Sequence, residues 1–276
     1  MKKLTPEEIA ALNEFGEADA WENFYSCAPA DFAERFRVET RRIGPLRISM
    51  VGGLDRSFFN RIVGAGIGAE ASEETLEEAI ALYDRAGCRS VMVQLIPGAQ
   101  KPGLCGWLEA RGFVKGKSWA KVYRDASPAP AAPDGLRVES IGTESGRLFA
   151  GIVLDAFRMP PELRPFIEGP IGKPGWRHYL AFDGDRAVAA GALYVSGAVG
   201  WLGLGSTLDS HRRRGGQGAL FARRIADGLA AGCKWFVTET GEDTPEKPNP
   251  SYRNMLRAGF TLAYLRGNYA RERAPG

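Results

Sequence analysis

Histidine and cysteine are scarce in this 276-residue chain, which holds two of the first, His178 and His211, and four of the second, Cys27, Cys88, Cys105 and Cys233. No pair of cysteines has zinc-site spacing and two imidazoles do not complete a ligand set, so no metal is expected. Cys88 and Cys233 each follow Ala-Gly just before an apolar run, which suits small buried thiols better than a disulfide. No apolar stretch approaches the roughly 20 residues of a membrane span. The start, Met1-Lys2-Lys3-Leu4-Thr5-Pro6-Glu7-Glu8, turns acidic where a signal peptide turns apolar, so a cytoplasmic location without membrane contact is expected. A strong charge excess is missing too: the net charge is +3. That balance is too small for a nucleic-acid binder.

What is present points to two domains, since the length exceeds the usual single-domain size. Ser127-Pro128-Ala129-Pro130-Ala131-Ala132-Pro133-Asp134-Gly135 suits neither a helix nor a central strand, so we expect domains over 1–125 and 136–276 joined by a Pro/Ala-rich linker over 126–135. The two halves repeat. Ala86-Gly87-Cys88-Arg89 recurs as Ala231-Gly232-Cys233-Lys234, and Trp107 to Phe113 recurs as Met255 to Phe260 with one residue fewer. Apolar stripes at helical spacing precede each first copy: Leu76, Ala79, Ile80 and Tyr83 in one half, Phe221, Ile225 and Leu229 in the other. A tandem duplication of one α/β unit is the simplest reading. In the second half the coarse reading is of strands near 136–140, 178–182, 187–195 and 199–208 and helices over 144–157 and near 161–167, with Asp183-Gly184-Asp185 and Ser196-Gly197 as hairpin turns.

The copies differ in the loop before the repeated helix. In the second half it is His211-Arg212-Arg213-Arg214-Gly215-Gly216-Gln217-Gly218-Ala219, between a strand-like and a helix-like segment. A helix start leaves backbone N–H groups unpaired and carries partial positive charge, so an anion gains hydrogen bonds and field there. Glycines admit a close approach, and arginines supply charge. A diphosphate cradle is the expectation. It is neither a dinucleotide fingerprint, which needs glycine where Phe221 stands, nor a P-loop, which needs Lys-Ser/Thr where Ala219-Leu220 stands. The first-half loop, Gly64 to Glu74, has glycines but no arginine, and Glu70, Glu73 and Glu74 would repel a phosphate. Thr75 and Glu78 are a candidate capping box for the helix that follows.

Arg213-x-x-Gly216-x-Gly218 resembles the acetyl-CoA signature of the GNAT superfamily of N-acetyltransferases. Downstream, Trp235 to Thr240 reads as a strand, and Asn249-Pro250-Ser251-Tyr252-Arg253-Asn254-Met255-Leu256-Arg257-Ala258-Gly259-Phe260 resembles the family's second signature, a short helix ended by Gly-Phe, with a last strand over 261–266. The resemblance implies an α/β fold with a mixed sheet, in two tandem GNAT-like acyl-CoA N-acyltransferase domains. The first, degenerate one would carry no cofactor and serve packing, substrate enclosure or dimerisation. It further implies acetyl-CoA as cosubstrate and direct acetyl transfer to a small-molecule amine; a non-catalytic acyl-CoA-binding or regulatory module is the alternative.

Carried across residue by residue, the family pattern assigns the cofactor to Arg213, Arg214, Gly215, Gly216, Gln217 and Gly218. It places backbone N–H at Leu208, with Ser206 and Thr207 beside it, against the thioester carbonyl, and brings Asn249, Ser251 and Asn254 to the pantetheine or phosphate. Met255 stands where the family's acid is often tyrosine, and Tyr252, one turn earlier, is the candidate donor. Glu239, in the strand beyond the cradle, is the first candidate for a base acting through water; Glu242 and Asp243 follow it in a loop. Trp176, Arg177 and Tyr179 are candidate walls of an acceptor pocket.

Overall fold

A computed structural model describes residues 3–272. In chain order its elements are α1 (Pro6–Ser26), α2 (Ala30–Phe36), β1 (Val38–Ile43), β2 (Leu46–Val51), β3 (Arg61–Ala65), α3 (Glu73–Arg85), β4 (Ser90–Leu95), α4 (Pro102–Ala110), β5 (Val114–Lys115), β6 (Trp119–Asp125), β7 (Arg137–Ile141), α5 (Gly146–Ala156), α6 (Arg164–Glu168), β8 (Trp176–Asp183), β9 (Arg186–Ser196), β10 (Val199–Thr207), α7 (Gly216–Ala230), β11 (Trp235–Gly241), α8 (Pro250–Arg257) and β12 (Thr261–Glu272). The chain divides into two compact units. Unit 1 is Met1–Lys121, Thr240–Glu242 and Leu262–Gly276, and unit 2 is Val122–Glu239 and Asp243–Thr261.

That division differs from a cut at 126–135. The Pro/Ala-rich segment lies inside unit 2, where Ala129 packs against the core. From Leu262 on, the last strand leaves the domain expected for it and enters the sheet of unit 1, antiparallel to β4 with Tyr269 opposite Val93. In unit 2, β6 takes the place beside β11. Strand pairing is non-local, so nothing in 261–272 announces which half it will join.

In unit 1 the strands run β1-β2-β3-β4-β12, with β5 on β12. The stripe Leu76, Ala79, Ile80 and Tyr83 of α3 is buried in a core with Ile48, Met50, Ile62, Val91 and Val93. Ser72, not Thr75, caps α3: its hydroxyl accepts from the Thr75 N–H at 3.1 Å, because the helix starts at Glu73, two residues before the expected cap. Helix α1 begins with a capping box formed by Thr5 and Glu8 and carries Glu14 and Glu17 into the interior. Glu17 meets Arg61 at 2.7 Å and Lys121 and Arg266 at 2.6 Å, all of them buried. Burial alone would raise the Glu17 carboxyl, but the three cations override it and hold it well below the ordinary 4.5.

In unit 2 the antiparallel meander β7-β8-β9-β10 continues through β11, which lies parallel to β10 because α7 makes the crossover. Helix α7 packs Leu220, Phe221 and Ile225 against Tyr179, Leu193, Leu202 and Phe236. The first helical segment is shorter than expected, a 3-10 turn over Thr143–Ser145 followed by α5, and α6 follows a second such turn over Pro161–Leu163. The expected hairpin turns hold, with Gly184 and Gly197 at φ of 58° and 54°.

The repeat is physical as well as textual. Helices α3 and α7 both end in a left-handed glycine, Gly87 and Gly232. Both close with the next cysteine N–H bonded back across the turn, Cys88 to Tyr83 O and Cys233 to Gly228 O, each at 2.9 Å. Helices α4 and α8 end the same way, with Phe113 N–H on Leu108 O and Phe260 N–H on Met255 O, each at 3.1 Å.

Candidate active site

The parallel pair β10 and β11 is laddered only from Val199 opposite Trp235 to Trp201 opposite Val237. Beyond that point no further ladder forms, though Thr238 Oγ1 still donates to Leu202 O at 2.7 Å. In β10 the register against β9 slips between Gly203 and Ser206, a bulge in which Leu204 takes φ of 53° and Gly205 is exposed. The bulge re-aims the backbone at the mouth of the opening. The equivalent pair in unit 1, β3 and β4, also has a register slip, yet it regains pairing at Ala65 opposite Leu95 and runs closed to the end of β4. Only the second half therefore keeps an opening beside its repeated helix.

The cradle closes the turn from β10 into α7. Arg213 and Gly215 are both left-handed, at φ of 63° and 82°. The first helical hydrogen bond of this turn runs from Ala219 N–H to Gly215 O at 3.0 Å, and helix geometry leaves the N–H groups of Gly216, Gln217 and Gly218 outside the ladder. The three arginines have different roles. Arg212 pairs with Asp209 at 2.7 Å and Arg214 with Asp183 at 2.7 Å, while Arg213 is exposed and has no ion-pair partner among the described residues. His211 is buried, bonded to Ser210 Oγ at 2.8 Å and 3.5 Å from Asp183, so it shapes the loop instead of facing solvent.

The glycines clear space differently from what the sequence suggests. Gly216 is buried, and a Cβ there would sit 3.4 Å from the Ala189 methyl. A Cβ on Gly218 would lie 2.9 Å from Pro133. Both let protein atoms approach the helix start, and Pro133 brings the Pro/Ala-rich segment against it. Gln217 holds the loop to the strand by donating to Ser206 O at 2.9 Å and Thr207 Oγ1 at 3.0 Å. Leu208 is not free to hold a carbonyl: its N–H donates to Val188 O at 3.0 Å. The residues inside the register slip are Leu204 and Gly205, three to four positions before Leu208, and a motif count back from Arg213 carries no sign of them.

Glu239 lies on β11 just past the last laddered pair, partly exposed, and its Oε2 accepts from Trp201 Nε1 at 3.2 Å. Trp201 folds its indole over Gly203, where even a Cβ would collide, and its ring meets Trp176 edge-on at 6.2 Å. Trp176 thus belongs to the face that carries Glu239. Arg177 and Tyr179 do not: both bond Asp227 of α7, at 2.6 and 2.9 Å, and Tyr179 is wholly buried. His178 is no base either. Buried between Phe149 and Trp176, it is pushed down to about 3 by desolvation.

On α8 the candidates are engaged locally. Asn249 caps the helix, accepting from the N–H groups of Ser251 and Tyr252 at 3.0 and 3.4 Å, and Asn254 accepts from Arg257. Met255 fills the core at the position where tyrosine was sought, and Tyr252 packs against that core, partly buried. Asp243 is tied to Asn249 N–H and to Arg253, and these bonds, the backbone one first, hold its carboxyl below the usual range. Among the described residues no cluster of His, Cys, Asp or Glu suits a metal ion, and no helix is long and apolar enough to cross a membrane.

A mixed sheet with a central parallel pair bridged by a crossover helix occurs in both halves, and only the second half has the glycine-arginine turn at that helix start. Solved structures agree. A GCN5-related N-acetyltransferase from Kribbella flavida superposes with a TM-score of 0.66 at 19% identity, covering 96% of each chain. A GCN5-related N-acetyltransferase from Sphaerobacter thermophilus gives 0.62 at 16%, covering 100% of this chain and 96% of its own. A tandem GNAT protein from the clavulanic acid biosynthesis pathway gives 0.58 at 17%, covering 96% and 97%. No protein-family model and no curated protein matches the chain. The chain therefore has the tandem GNAT fold.

Proposed function

We propose that unit 2 is an acetyl-CoA-dependent N-acetyltransferase that passes an acetyl group directly to the amine of a small molecule. The observation that carries this is the end of the β10–β11 ladder at Trp201 and Val237, followed along β10 by the Leu204-Gly205 bulge and then by the Arg213 turn into α7. Coenzyme A is a diphosphate joined to an extended arm with two amides. The unpaired N–H groups and Arg213 suit the diphosphate, and unladdered strand edges suit the amides as a further strand would. Arg214 and Gln217 support the loop by the bonds already described. The acyl carbonyl would lie at the bulge, where a backbone N–H polarises it.

The amine nitrogen attacks the carbonyl carbon, the C–S bond breaks, and the thiolate leaves to take a proton. Glu239 is the group suited to accept the ammonium proton through water, and Trp201 orients its carboxylate. Tyr252 is the side chain proposed to return a proton to sulfur. Unit 1, with a closed pair and Glu70, Glu73 and Glu74 at its helix start, is proposed to bind no cofactor.

The buried Met255 favours a second reading, an acyl-CoA-binding module without turnover. Acetyl-CoA turnover over a panel of amines, followed by thiol release, separates them. Release with at least one amine supports the enzyme; calorimetric binding of coenzyme A with no release over the panel supports the module.

A further inference from the structure

Arg224 of α7 is 1% exposed, and its guanidinium enters the sheet at the bulge of β10. One nitrogen, Nη1, donates to Ala192 O at 3.2 Å and to Gly203 O at 3.3 Å, while Nε donates to Leu220 O at 3.1 Å. Ala192 and Gly203 are the last cross-strand pair before the register slips, so the guanidinium takes the two carbonyls at the edge of the slip. It fits because β9 has glycine opposite: a Cβ on Gly191 would sit 3.0 Å from Arg224 Cζ. No carboxylate pairs with it among the described residues.

Its remaining nitrogen, Nη2, is buried without a hydrogen-bond partner and lies 3.9 Å from where a Cβ of Gly205 would be, on the exposed residue of the bulge. Ser206 Oγ, next in sequence, is likewise buried and unpartnered. Two orphaned polar atoms flank the backbone that faces the opening. Burial pushes the Arg224 guanidinium down to about 10, which still leaves it charged at neutral pH. Its contacts are three carbonyls and the Phe221 ring at 4.8 Å, with no carboxylate to neutralise it, so burying the charge adds little to folding stability.

We propose that Arg224 is a positioning residue that staples the β10 bulge in shape and sets a fixed positive charge behind the acyl carbonyl held there. The inference rests on the acetyl-transfer reading of unit 2. A charge fixed in a water-poor site polarises a carbonyl more than a solvated one does, and it needs no reorganisation as the oxyanion forms.

The test compares the full-length protein with Arg224→Met, Arg224→Lys and Gly191→Ala. The first readout is the infrared band of acetyl-CoA labelled with carbon-13 at the thioester carbonyl, bound without amine. In the wild type the band should fall below its position in water, and in Arg224→Met it should return toward that position, with calorimetric affinity for coenzyme A changed less than about threefold. With an amine that turns over, kcat should drop about tenfold or more while KM for acetyl-CoA stays close to its original value. Arg224→Lys keeps the charge but cannot span both carbonyls, so it should fall between the two. A wild-type band and kcat in a folded Arg224→Met protein would overturn the proposal, as would a lysine variant equal to the wild type in both. Should the methionine variant fail to melt cooperatively, Gly191→Ala displaces the guanidinium with the charge retained, and an unchanged band there overturns the proposal. Failure of the wild type to bind acetyl-CoA would instead remove the acetyl-transfer reading itself.

Discussion

Trp201, in the last laddered pair of β10 and β11, donates across 3.2 Å to Glu239, two residues beyond its ladder partner Val237. The bond fixes one oxygen of a partly exposed carboxylate. Glu239→Gln keeps the shape and removes the proton acceptor, so turnover should fall about a hundredfold at neutral pH, with coenzyme A affinity nearly intact. The loss should shrink as pH rises and the amine deprotonates unaided. Trp201→Phe removes the 3.2 Å bond and should cost several-fold in kcat by holding the carboxylate less firmly. A steady-state pH profile of both variants checks this, and equal losses at every pH would assign Glu239 to structure instead.

Arg213 is the arginine of the triplet with no ion pair among the described residues; it is exposed and its backbone is left-handed. Arg213→Glu should abolish calorimetric binding of coenzyme A without lowering Tm, since nothing folded depends on it. Gly218→Val should also lose binding, but with a drop in Tm, because its side chain would meet Pro133. Wild-type affinity in both would dismiss the cradle.

One coenzyme A per chain is the expected stoichiometry. The pair β3 and β4 is closed where β10 and β11 is open, and Glu73 and Glu74 open α3 with like charge. Isothermal titration reads the number directly. Two equivalents bound would mean that the first half keeps a site of another design.

His178 should make the protein acid-sensitive between pH 6.5 and about 3. Its folded pKa is depressed from 6.5, so its contribution is complete above 6.5 and is lost as pH falls through that window, where the unfolded chain binds the proton first. Between pH 7 and 5 the loss is about 2 kcal/mol. His178→Phe, which retains the contacts with Phe149 and Trp176, should flatten denaturant stability over that range. An unchanged slope would mean that water reaches the ring.

Much of this site was legible in the chain because its signals are local. Left-handed glycines after α3, α4, α7 and α8 repeat as Ala-Gly-Cys and Gly-Phe, and the glycine-arginine turn marks a helix start that any reader of backbone chemistry can find. The backbone N–H expected at Leu208 is taken by Val188 O, and the bulge at Leu204 and Gly205 was not foreseen, since a one-residue insertion in a strand leaves no trace in composition. Tyr179 and Arg177 read as pocket walls, yet strand alternation turns Tyr179 to α7, and Arg177 reaches the same Asp227.

The sequence by itself determined that the chain folds as two α/β repeats and that the second carries a glycine-arginine turn at its helix start where the first carries glutamates, because caps, turns and charge depend on residues a few positions apart. Only the tertiary structure decided which strands pair. It sent 262–272 into unit 1, closed β3 on β4 and left β10 and β11 apart. It also brought Trp201 to Glu239 and carried Arg224 to the bulge. Those outcomes rest on contacts between residues far apart in the chain, where burial and hydrogen bonding are settled jointly and no short stretch carries the answer.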